Sequence, residues 1–227
     1  MKQKFTILFD LDGTLVDTAP DLMLAHNHVM KKFGYPTKST EDIRNLVGKG
    51  AGALIGRSIW GQAKKEFSKV LDTKIKDEMV KEFVNFYGKN IVNESTLVTG
   101  VKDFLIWCKN QNISMAVCTN KQEHLSNDLL KKIGIYDFFE YVAGSDTFDY
   151  CKPDPRHLTN VVEILDGDIK KTIMIGDSET DANAAKAAEI PVILLENGYT
   201  EKNTTEIYHN HLIKDFIGIE KIISKYL

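Results

Sequence analysis

The chain has 227 residues, is 43% hydrophobic and 27% charged, and carries a net charge of −3. That is room for one large domain with a smaller insertion. It makes no case for nucleic acid or an anionic membrane as main partner. No apolar run approaches the ~20 residues of a membrane span. Three unpatterned cysteines, Cys108, Cys118 and Cys151, argue against a disulfide framework or a zinc site. With no signal-peptide hydrophobic region in Met1–Lys4, a cytoplasmic setting is expected.

Phe5–Phe9 is a short, nearly continuous apolar run of the kind buried in a parallel sheet. Behind it stands F-D-L-D-G-T-L-V-D-T, which puts Asp10 and Asp12 at the strand's mouth. Residues ~19–92 then read as all helix. Thr18 is placed to cap the first helix, with Pro20 in its first turn. Leu22, His26, Val29, Met30 and Phe33 form its apolar face, and Gly34 ends it. Ser39 and Asp42 resemble a capping box for a second helix, G-K-G-A-G (Gly48–Gly52) leads to a third, and Met79–Tyr87 closes the set. This segment is basic, with 13 Lys and Arg against 8 Asp and Glu, whereas the remainder has 16 against 24. Solvated helix faces and a basic lid over a site for an anionic substrate both fit that asymmetry.

After it, helices alternate with strands. The helices are Val101–Lys109, Leu125–Ile133 ending at Gly134, and Asp154–Leu165 with Asp154 as N-cap and Pro155 at N1. The strands are Ile113–Cys118, a weaker Phe139–Ala143, Thr172–Ile175 and Ile190–Leu195. Thr200–Asn210 reads as loop or short helix and Phe216–Leu227 as a final amphipathic helix. The expected fold is α/β: a Rossmann-like parallel sheet core (1–18 and 93–227) with a small helical cap (19–92) inserted after the first strand.

Ligands of open α/β sheets bind outside the carboxyl ends of the strands. Four groups fall there: Asp10 with Asp12; Thr119-Asn120 of C-T-N-K; Lys152 of C-K-P-D-P; and Asp177 with Asp181 of G-D-S-E-T-D. Singly, most have plain readings, as helix N-caps or a surface lysine. Together they concentrate carboxylates on one edge, which a hard divalent cation with oxygen ligands, Mg²⁺, would relieve. One carboxylate is then a feasible nucleophile toward phosphorus and another a general acid and base. The Thr119 hydroxyl, the backbone N–H groups near Asn120 and the Lys152 ammonium are donors for phosphoryl oxygens.

In their order and their shared place at strand ends these motifs resemble those of the haloacid dehalogenase superfamily, in its phosphatase branch, over essentially the whole chain. Three more stretches resemble the bacterial phosphoglycolate phosphatases within it: I-R-N-L-V-G-K-G-A-G-A-L, G-S-D-T-F-D-Y-C-K-P-D-P and A-A-K-A-A-E-I-P…N-G-Y. The resemblance implies that Asp10 is the nucleophile forming an aspartyl-phosphate and Asp12 the acid and base. It implies that Thr119, Asn120 and Lys152 hold the phosphoryl group, and that Asp10, the Asp12 carbonyl and Asp177 hold Mg²⁺, with Asp181 supporting that shell. The implied partner is a small anionic phosphorylated substrate, 2-phosphoglycolate first, for a monomer or homodimer. A pyrophosphatase, a sugar-phosphate phosphatase, a β-phosphoglucomutase and a non-enzymatic phosphate sensor stand as alternatives. The intact Asp12 weighs against the sensor. Glu189 and Ser145 depart from the family's glycines at those positions, which puts the turn at Glu189 in doubt. Lys49 reads either as a solvent-facing lysine or as a contact to a substrate carboxylate, and Arg44 either as an ion-pair partner on a cap helix or as a substrate or cap–core contact. The pair His209 and His211 reads as surface.

Overall fold

The computed structural model describes residues 4–60 and 73–227; part of the expected 19–92 helical segment, 61–72, lies outside them. The chain opens with β1 (Thr6–Phe9) and a short β2 (Val16–Asp17). Among the described residues the helices α1 (Ala19–Phe33), α2 (Thr40–Arg44), α3 (Ala51–Trp60) and α4 (Thr73–Lys89) follow. A short β3 (Thr96–Leu97) pairs antiparallel with β2. Then come α5 (Val101–Asn110), β4 (Ser114–Cys118), α6 (Glu123–Ile133), β5 (Tyr141–Ala143) and α7 (Arg156–Ile164). The chain finishes with β6 (Thr172–Gly176), α8 (Glu179–Ala187), β7 (Val192–Leu195), β8 (His211–Ile213) and α9 (Glu220–Ile223).

The main sheet has the order β5-β4-β1-β6-β7-β8, and every pairing in it is parallel. Side chains alternate across it as the pleat requires. Ile7 and Phe9 join an apolar cluster that includes Phe104 and Leu105 of α5 and Leu129 of α6. Leu8 faces the other way, into a cluster with Val161 of α7 and Ala184 of α8. Burial on both faces is why the strands read as continuous apolar runs.

The helical segment is tied into the same core, because Leu22, Met30, Met79 and Phe83 belong to the cluster of Ile7 and Phe9. Its punctuation follows the sequence. Gly34 ends α1 in the left-handed region at φ 76°, and the Ser39–Asp42 capping box opens α2. Thr18 differs. Its hydroxyl donates to Asp12 at 2.7 Å instead of capping α1, and the Ala19 N–H donates to the Tyr199 hydroxyl at 2.8 Å. Buried Asp21, in the first turn, instead accepts N–H groups of Asn93, Glu94 and Ser95.

Three further expectations are corrected. Helix α7 begins at Arg156, whose N–H donates to the Asp154 carboxylate at 2.9 Å, so the N-terminus is shifted along the chain. The tail forms the edge strand β8 and only the one-turn α9, since Gly218 at φ 78° breaks the expected helix and leaves Ile217 73% exposed. Glu189 does adopt the left-handed conformation, at φ 57°. Among the described residues no helix is long and apolar enough to cross a membrane.

Candidate active site

Register brings the motifs together. Phe9 lies opposite Val117 on one side and Ile175 on the other. The residues just past those strands, Asp10, Thr119 and Asp177, therefore emerge side by side at the sheet's carboxyl edge. Gly13 lets the loop after Asp10 turn back: it sits at φ 81°, and a Cβ there would collide with the Asp177 carboxylate.

Asp10 is 6% exposed. Its Oδ1 accepts the Leu11 N–H at 2.7 Å and lies 3.0 Å from Lys152 Nζ. Burial, and then the charge of Asp181, push its pKa up to about 7, against the pull of Lys152. Asp177 is raised well above the usual carboxylate range by burial and by the charges of Asp10 and Asp181. It is held by the Thr14 hydroxyl at 3.1 Å and the Tyr199 N–H at 2.6 Å. Asp10, Asp177 and Asp181 each bring a carboxylate oxygen within 4.8 Å of the others, an arrangement that could hold a cation. Asp181, however, is already engaged. One oxygen takes Lys152 Nζ at 2.6 Å. The other takes the Ser178 hydroxyl at 2.7 Å and the N–H groups of Asp177 and Ser178. It fixes Lys152 and the start of α8, which explains its place four residues after Asp177.

Asp12 stands apart from that cluster. Its oxygens accept the Thr18 hydroxyl at 2.7 Å and Lys121 Nζ at 2.8 Å.

A cavity of about 290 Å³ opens above these groups, lined by Asp10, Asp12, Thr119, Asn120 and Lys121 from the sheet edge. Its other wall comes from the helical segment, with Gly48–Leu54, Val80, Phe83 and Tyr87. Asn120 ties the two sides: its amide donates to the Gly48 carbonyl at 3.1 Å and to the Lys152 carbonyl at 2.9 Å. Asn120 Oδ1 is buried without a partner.

Lys152 is not in the lining expected of a substrate-binding residue. Its side chain is 1% exposed, beneath the cavity, and meets Asp10 and Asp181. Lys49 lines the cavity as an exposed residue, and Ser145 lines it too. Arg44 does not: it pairs with Asp17 at 2.7 Å and lies over the Tyr199 ring, joining α2 to β2. Leu11 is buried beneath the site. His209 meets the Ile207 carbonyl and His211 the Tyr226 hydroxyl, away from the acidic cluster.

Three residues escaped the sequence reading. Lys121 was visible only as the last letter of C-T-N-K. Tyr199, of N-G-Y, holds Asp177 through its N–H and Asp17 through its hydroxyl. Tyr87 reads as one more apolar-face residue of its helix.

A family model described as haloacid dehalogenase-like hydrolase matches residues 7–195. A phosphoglycolate phosphatase of Caulobacter vibrioides is 38% identical over 216 residues, covering 95% of this chain and 89% of its own. One of Mesorhizobium japonicum is 37% identical over 210 residues, covering 92% and 90%. A crystal structure of a predicted phosphoglycolate phosphatase from Haemophilus somnus superposes with a TM-score of 0.89 at 31% identity, covering 98% of this chain and 99% of that one.

Proposed function

The chain belongs to the haloacid dehalogenase-like hydrolases, and we propose that it hydrolyses a small phosphate monoester, 2-phosphoglycolate, through an aspartyl-phosphate on Asp10. The observation that carries the reading is the division of labour between Asp10 and Asp12. Asp10 is buried against Lys152, with one face on the cavity. Asp12, also on the cavity, is held instead by the Thr18 hydroxyl and the Lys121 ammonium. Two carboxylates in different surroundings suit two different roles.

In the first step an Asp10 oxygen attacks phosphorus and the bond to the glycolate oxygen breaks. Asp12 gives its proton to that leaving oxygen. In the second step Asp12 takes a proton from water, which attacks the phosphorus of the aspartyl-phosphate and frees Asp10 and inorganic phosphate. Thr119 and the backbone N–H groups after β4 would hold the phosphoryl oxygens. Lys152 acts from below, keeping Asp10 in place and offsetting its charge.

The donor set fits Mg²⁺, because burial and the charge of Asp181 push both Asp10 and Asp177 up, Asp10 adds to the push on Asp177, and Lys152 offsets only part of it. Asp10, Asp177 and the Asp12 carbonyl would hold the ion, which would supply positive charge to the phosphoryl oxygens as they approach Asp10. Residues 19–92 would act as a cap that closes over a small substrate and excludes water. A cavity of about 290 Å³ suits a two-carbon acid. Every group this reading uses comes from one chain. Burial pushes the Cys118 thiol up to about 12, which suits an unreactive cysteine in a reducing cytoplasm.

Phosphate release with Mg²⁺ tests the proposal, using 2-phosphoglycolate, pyrophosphate, β-glucose-1-phosphate and an aryl phosphate, with Asp10→Asn as blank. Release selective for 2-phosphoglycolate and lost in the variant is expected. Preference for another substrate moves the assignment to it, and release equal to the blank overturns the reading.

A further inference from the structure

The reaction uses Asp10 and Asp12 but gives no role to the ammonium beside Asp12. Lys121 Nζ lies 2.8 Å from Asp12 Oδ2, with 5% of its side chain exposed. It also lies 4.5 Å from the centroid of the Tyr87 ring, which α4 brings across the cavity. Tyr87 is 1% exposed, and its hydroxyl is buried without a hydrogen-bond partner. Burial and the nearby charges of Asp12 and Asp21 keep that hydroxyl protonated. A buried donor left unsatisfied costs stability and calls for an explanation. Both residues line the cavity, and Lys49, the other cation among its described lining residues, is exposed.

We propose that Lys121 and the Tyr87 hydroxyl form the receiving site for the carboxylate of the substrate, the part that is not transferred. This rests on the phosphatase reading above and adds the groups that select the substrate. The chemistry of the ester sets the distances. Asp12 must reach the bridging oxygen, and in phosphoglycolate one methylene separates that oxygen from the carboxylate carbon. A cation already in contact with Asp12 therefore stands where the carboxylate arrives. On binding, the ammonium exchanges or shares its partner, and the unspent Tyr87 hydroxyl gains an acceptor. Substrates without a second anion leave Lys121 on Asp12 and Tyr87 unsatisfied, so selectivity arises from the core strand end and α4 together.

The test compares 2-phosphoglycolate with 2-hydroxyethyl phosphate, which replaces the carboxylate by a hydroxymethyl group. The readout is the ratio of their kcat/KM values, in which losses common to both substrates cancel. Lys121→Met should cut the ratio about 10–100-fold, the value of a charge-assisted hydrogen bond, and Lys121→Arg should keep more of it. Tyr87→Phe should cut it several-fold while leaving Tm unchanged or higher, because it removes a buried unsatisfied hydroxyl. Inhibition constants for 3-phosphonopropionate against propylphosphonate give the same comparison without turnover, and Tyr87→Phe keeps the test open should Lys121→Met fold poorly. Unchanged ratios with both rates falling together would make Lys121 only a counter-ion of Asp12 and overturn the inference. Wild-type turnover of both substrates without preference would overturn it and leave the phosphatase reading intact. Turnover of neither would remove that reading and this inference with it.

Discussion

Replacing Asp10 by Asn should abolish turnover and, without Mg²⁺, make the protein more stable. The Asp10 pKa rises from an ordinary 3.8 to about 7, through burial first and the charge of Asp181 second. At pH 8 the folded chain must hold an anion that its surroundings disfavour. At about 1.4 kcal/mol per unit, the gap amounts to roughly 4 kcal/mol. Asn keeps the shape of the protonated acid and removes that load, and Asp177, which Asp10 also pushes up, is relieved with it. Lys152 loses one of its two partners, which offsets part of the gain. A net of about 2–4 kcal/mol remains, or about 5–15 °C in Tm for a chain of this size. The sign follows from proton binding. Between pH 4 and 7 the folded state binds the proton that the unfolded state has lost, so this group's contribution falls as pH rises. The gap between variant and wild type should therefore vanish near pH 4, open across pH 4–7 and stay open above. The assay is urea or thermal unfolding of both proteins in EDTA at several pH values, then with Mg²⁺, where the wild type alone should gain and the gap should close. An Asp10→Asn protein no more stable than wild type at pH 8 in EDTA would refute the reasoning.

Four other outcomes are expected. Lys152→Met leaves Asp10 and Asp181 buried without their cation and should cost about 3–5 kcal/mol in denaturant unfolding at pH 8, as well as activity. Gly176→Ala would drive a Cβ into the Asp181 side chain; it should lower Tm and kcat together through displaced Lys152, by about 2 kcal/mol or more. Glu189→Gly relieves a left-handed residue at φ 57° and should raise stability by about 0.5–1 kcal/mol with kcat unchanged. His157 is held neutral by burial, its pKa pushed down to about 4 from 6.5. Stability should fall by up to ~3 kcal/mol as pH drops from 6.5 to 4, and His157→Gln should flatten that limb of the unfolding curve.

The sheet and the acidic edge at its strand ends were legible because their physics is local. A strand buried on both faces needs a continuous apolar run, and carboxylates directly behind β1 and β6 have few roles in a merely structural loop. Elements that owe their existence to partners were not legible. β2 and β3 are two residues each and exist because Val16 meets Leu97 across the chain. β8 is an edge strand held by β7, and Gly218, the break in the expected tail helix, was outweighed by the apolar spacing of the tail. The same holds in the site. Asp181 reads as a supporter of the metal shell, but its contacts with Lys152 and the α8 cap come from a loop 29 residues away and from its own helix. Lys121 and Tyr87 meet only because α4 crosses the strand end, which no spacing along the chain encodes.

The most direct test of the central claim traps the intermediate. Asp12→Asn lacks the acid and base, but an aryl phosphate leaves without protonation, so the variant should still phosphorylate Asp10 and then stall. With Mg²⁺ and an aryl phosphate, the account predicts a burst of phenolate equal to the enzyme present. Peptide mass spectrometry after acid quench should then find phosphate on Asp10. No burst, or phosphate on any other residue, would contradict it.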